Sequence, residues 1–105
     1  MSLDINLVWE DGAHWQNITH NLVEMASQAD IYACLWRPET CNVTVAGELV
    51  QPLRRAIEDM KARPQHYRQF DSANGWGKYD HFLPWLEQLL QACEEHPEAW
   101  VQSCR

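Results

Sequence analysis

Two short stretches hold most of the side chains that could do chemistry. Asn17-Ile18-Thr19-His20-Asn21 offers amides, a hydroxyl and an imidazole. Asn74-Gly75-Trp76-Gly77-Lys78-Tyr79-Asp80-His81 sets glycines on both sides of a tryptophan, then adds a phenol, a carboxylate and a second imidazole. Such groups can bind a polar ligand, hold part of a metal shell or move a proton. His20 and Glu24 stand four apart, so on a helix they share a face and can both touch one ion. Two ligands do not make a site unless His14, His66 or His81 folds in beside them, and no metal is expected. Asp71, Asn74 and Asp80 supply oxygens, but not at calcium-loop spacing. They read as caps and turn formers.

Nucleophilic catalysis would need Ser72 beside a base such as His20 or His81. Nothing in the sequence fixes that geometry, so no catalytic residue is assigned. The phosphate-loop, Gly-X-Ser-X-Gly, His-Glu-X-X-His and Cys-X-X-Cys patterns are all absent. Asn74 to Gly77 has only two glycines and follows a predicted helix, so it fails as a dinucleotide fingerprint. No cofactor is expected.

The elements that must position these residues read as follows. Leu3, Ile5 and Leu7 alternate with Asp4 and Asn6, which predicts a strand over 3–9 that ends at Glu10-Asp11-Gly12. Asn17 is placed as the cap of a helix carrying Ile18, Leu22, Met25, Ala26 and Ala29. A turn near Asp30 separates it from a shorter helix with Ile31, Leu35 and Trp36, stopped by Arg37-Pro38. A helix over about 45–62 buries Leu49, Leu53, Ile57 and Met60. Pro52 either kinks it or marks its true start after a turn at 45–50. Its cap is not obvious: Glu39, Thr40 and Thr44 are the nearby candidates. Pro64 opens a short helix over 64–70 that buries Tyr67 and Phe70. The clearest amphipathic helix, 80–95, carries Phe82, Leu86, Leu89, Leu90 and Cys93. Trp100-Val101 begins a terminal strand that pairs with 3–9.

Composition narrows the function classes. The chain has 105 residues, 46% of them hydrophobic, enough for one packed core. Its net charge of -7 disfavours nucleic-acid binding, which depends on Lys and Arg at phosphates. It suits a partner with a basic face. The basic run Arg54, Arg55, Lys61, Arg63 and Arg68 is interrupted by Glu58 and Asp59 and reads as a solvated helix face. No signal peptide or membrane-spanning stretch is recognisable, so a cytoplasmic location with reduced cysteines is expected. The spacing of Cys34, Cys41, Cys93 and Cys104 matches no zinc pattern. Cys34 and Cys93 read as small core residues. The six Trp residues are anchors for a core or an interface.

Residues 17–22 and 74–97 together resemble a family of small proteins found in phages, prophages and bacterial genomes. Members carry Thr-Tyr-Asn or Thr-His-Asn near the N-terminus and a helix like that of residues 49–70. They continue with Asn-Gly-Trp-Gly-X-Tyr and a final helix with a Glu-rich end. The resemblance spans about 17–101. It departs after Tyr79, where members have an acidic residue followed by glycine and this chain has Asp80-His81; the segment 31–44 is individual. The family carries no established activity. The resemblance implies that Thr19, His20 and Asn21 belong with Asn74, Gly75, Trp76, Gly77 and Tyr79 as one constellation.

Two readings of that constellation follow. In one, polar donors converge around Trp76 and form a ligand site. In the other, the favoured one, His20 and Asn21 bond the loop backbone and Trp76 plugs the core. The expectation is a single mainly helical α+β domain over 1–105, with four or five helices and a minor two-stranded antiparallel sheet from the termini. Its expected role is a non-enzymatic interaction module that acts on another protein as an inhibitor or accessory. The alternative is a small-ligand or metal-binding domain. Neither nucleic acid nor membrane is an expected partner.

Overall fold

The computed structural model describes residues 2–105. Strand β1 (Ser2–Trp9) pairs antiparallel with β2 (Gly12–Thr19) through a tight hairpin, and with β3 (Trp100–Cys104) on its other side. The sheet therefore has three strands in the order β2-β1-β3, not the two expected. The pairing of the terminal strand with β1 is as read from the sequence.

The unexpected strand is β2, and Asn17 lies inside it rather than capping a helix. Its period-2 pattern is hidden because polar residues take the inward positions. Gln16 is buried, and its amide donates to the Trp85 carbonyl at 3.1 Å while its oxygen lies 2.7 Å from His14 Nε2. A buried amide with both ends partnered is tolerated in a core, but it defeats hydrophobic periodicity. Thr19 does the capping instead. Its hydroxyl accepts from the Asn21 amide at 3.2 Å and starts a 3-10 turn at His20–Leu22.

Five α-helices follow: α1 (Val23–Gln28), α2 (Tyr32–Trp36), α3 (Val50–Ala62), α4 (Pro64–Arg68) and α5 (Tyr79–Glu95). Asp30, at φ 59°, breaks α1 from α2. A 3-10 turn at Ala46–Leu49 precedes α3, so Pro52 falls in the first turn of α3 where its missing N–H costs little. None of the three expected caps serves there. Glu48 reaches back, and its carboxylate accepts from the Thr44 and Val45 amides at 2.8 and 3.0 Å.

One core joins the inward face of the sheet (Leu3, Ile5, Leu7, Ile18) to Leu22, Met25, Leu35, Leu53, Met60, Tyr67, Phe82, Leu86 and Leu89. Cys93 is fully buried in it, and Cys34 is half-buried against it. Burial pushes the Cys93 thiol up to about 12. Phe70 is also only half-buried. Among the described residues, no helix is long and apolar enough to cross a membrane.

Candidate functional site

The loop between α4 and α5 is shaped by its own polar groups. Asn74 Oδ1 accepts from the Trp76 amide at 2.9 Å and from the Ser72 hydroxyl at 2.6 Å. The Ser72 amide donates to the Gly77 carbonyl at 2.9 Å. Asp71 Oδ1 accepts from the Tyr79 amide at 2.7 Å, which satisfies one of the free N–H groups at the start of α5. Gly75 and Gly77 sit at φ 79° and 108°, angles that side chains with a Cβ resist.

The loop is fastened to the end of β2. Asn21 Nδ2 donates to the Trp76 carbonyl at 2.8 Å. A Cβ on Gly77 would lie 3.0 Å from Asn21 Cβ and 3.2 Å from Thr19 Cγ2, so the Gly77 backbone packs directly against side chains of the first motif. The expected hydrogen bonding of Asn21 to the loop backbone is therefore present. The expected plug is not: Trp76 is 72% exposed. Its carbonyl is held by the Asn21 amide while its indole stands exposed.

Room remains between the motifs. An open cleft of about 840 Å³ is lined by Ser2, Asn17, Thr19, His20, Asn21, Trp76 and His81, among others. None of its lining residues is Asp, Glu, Lys or Arg. Asn17 and Ser2 are tied together, with Asn17 Nδ2 donating to Ser2 Oγ at 2.9 Å and to Asp4 Oδ1 at 2.7 Å. His20 packs edge-on against Trp36, ring centroids 6.3 Å apart. His20 Nε2 and Trp36 Nε1 are both buried without a hydrogen-bond partner among the described residues.

Of the expected site residues, Thr19, His20, Asn21, Gly75, Trp76 and Gly77 line the cleft. Asn74 does not, because its oxygen shapes the loop. Tyr79 does not either. It is buried, with its hydroxyl donating to the Met60 carbonyl at 2.8 Å and the Arg68 guanidinium 4.6 Å from its ring centre. Sequence reasoning misses Ser2 and Asn17, because only the strand assignment of β2 sets Asn17 beside Ser2 at the end of the sheet that borders the cleft. The Ser72 hydroxyl is held by Asn74 rather than by a base. Among the described residues, no three His, Cys, Asp or Glu side chains converge as a metal set.

No protein-family description, curated protein or solved structure matches the chain.

Proposed function

We propose that this chain is a non-enzymatic binding module of the phage or prophage kind that its two motifs resemble. It acts inside the cell as an inhibitor of, or accessory to, another protein, and takes that protein at the cleft beside Trp76. The observation that carries this reading is the exposure of Trp76, 72%, on a loop braced by the Asn21 bond. A large aromatic ring with only two rotatable side-chain bonds loses little side-chain entropy on binding, and Trp is enriched among binding hot spots. The charge of -7 favours a partner with a basic face around the contact. The test is a pull-down from bacterial lysate with the natural chain and W76A. One partner enriched by the natural chain and lost with W76A supports the reading. No enriched protein, or enrichment indifferent to W76A, contradicts it.

A second reading, a small ligand inside the cleft, is favoured by one observation. The volume of about 840 Å³ lies within the usual range of ligand pockets, and the walls join the amides of Asn17 and Asn21, the hydroxyls of Ser2 and Thr19 and two imidazoles to the apolar Ile18, Leu22 and Trp76. Thermal-shift screening with nucleotides and divalent metals tests it. A flat response with the natural chain and with H20A removes it.

A further inference from the structure

The sheet has two unlike faces. Leu3, Ile5, Leu7, Gln16 and Ile18 point into the core, whereas the residues between them point outward. Cross-strand register sets these outward residues in rows. Trp15, Asn6 and Gln102 form one, Ala13, Val8 and Trp100 the next, and Asn17, Asp4 and Cys104 a third. Trp15 and Trp100 are 61% and 59% exposed, so neither is covered by the helices. From strand spacing and rise, their backbones stand roughly 12 Å apart, with Asn6, Val8 and Gln102 between them.

Trp15 is anchored. Its indole N–H donates to Asp4 Oδ1 at 3.2 Å, which draws the ring across the sheet toward β1. The same carboxylate accepts from Asn17 Nδ2 at 2.7 Å, so the one charge on these three rows is engaged by two donors. No Lys or Arg stands in the rows, in a chain with 8 basic and 15 acidic residues.

We propose that this open face binds a neutral glycan, independently of the cleft. The chemistry selects that class. Indole faces stack on the apolar faces of sugar rings. Carboxamides both donate and accept, as sugar hydroxyls do. Single-stranded nucleic acid would also stack, but it needs cations along its backbone, and none are present in the rows. A second copy or a protein partner needs about 800 Å² of contact per side. Strands of at most eight residues in a three-stranded sheet offer on the order of 400 Å². A few sugar rings fit that footprint.

The test is affinity electrophoresis of the natural chain through gels containing neutral polysaccharides, a β-linked glucan and a galactomannan among them. Retardation in at least one neutral gel is expected. W15A and W100A should each weaken it roughly tenfold, the loss of one stacked ring, while W15F keeps most of it. Both tryptophans are exposed, and circular dichroism checks that the variants fold. W76A should bind the glycan normally, so failure here is distinct from failure of the cleft. No retardation in any neutral gel overturns the proposal, as does retardation indifferent to W15A and W100A. Dimerisation in sedimentation that W100A abolishes also overturns it and assigns the face to a second copy.

Discussion

Asn21 donates its side-chain amide to the carbonyl of Trp76 at 2.8 Å, across 55 residues of sequence. That bond ties the entry to α1 to the entry to α5 and leaves the indole of Trp76 free. In N21A the carbonyl loses its partner. The expected cost is about 1 kcal/mol, because the bond is exposed and water can replace it. The loop should loosen as well, and lower tryptophan fluorescence anisotropy would report it. N21D should behave like N21A, since a carboxylate cannot donate. Unchanged stability in urea titration and unchanged anisotropy would contradict the bracing role.

The two glycines of the loop should not be equivalent. An added Cβ at Gly75 meets nothing within 4 Å, so G75A carries only backbone strain, about 1 kcal/mol. At Gly77, φ is 108° and a Cβ meets Asn21, Thr19 and Leu22 at 3.0 to 3.3 Å. G77A combines strain with a clash against a packed turn and should cost about 3 kcal/mol. Thermal melts of the two variants check the order. Equal losses would mean that the two motifs are not in contact.

Acid should weaken the junction between α3 and α4. The Arg63 guanidinium, with the Tyr67 hydroxyl second, holds the Asp59 carboxyl below its ordinary value of 3.8. A depressed carboxyl contributes stability above its ordinary value, and the contribution is lost as the pH falls through the depressed one. D59N should therefore be less stable than the natural chain at pH 6, with the gap closing below about pH 4. Burial, and then the bond to Asp59, push the Tyr67 phenol up from 10.0 to about 12. Its contribution has the opposite sign, being complete below 10.0 and lost as the pH rises toward about 12. Urea denaturation across pH, with D59N and Y67F, checks both signs.

Much of this fold is legible in the sequence where apolar spacing is unbroken. Leu3, Ile5 and Leu7 announce β1, and Phe82, Leu86, Leu89 and Cys93 announce α5. The boundaries around Asp30, Arg37 and Pro64 follow from backbone restrictions that the residues carry themselves. β2 is illegible because Gln16 and His14 take inward positions, with Gln16 satisfied by a partner distant in sequence. Without β2, Asn17 becomes a helix cap and the hairpin disappears. The pairing of the two motifs follows from the resemblance rather than from residue spacing. The outward turn of Trp76 follows from neither, because the direction of a side chain between two left-handed glycines depends on what the flanking backbone packs against.

The central claim is that the cleft beside Trp76 meets another protein. A photo-crosslinking amino acid placed at His81, on the rim of the cleft, tests it in bacterial cells while the partner is still unidentified. The same label at Gln51, exposed on α3 and outside the cleft, is the control. The account predicts one discrete crosslinked protein from position 81, absent from position 51 and lost when W76A is added. No discrete crosslink at position 81, or the same product from both positions, would contradict it.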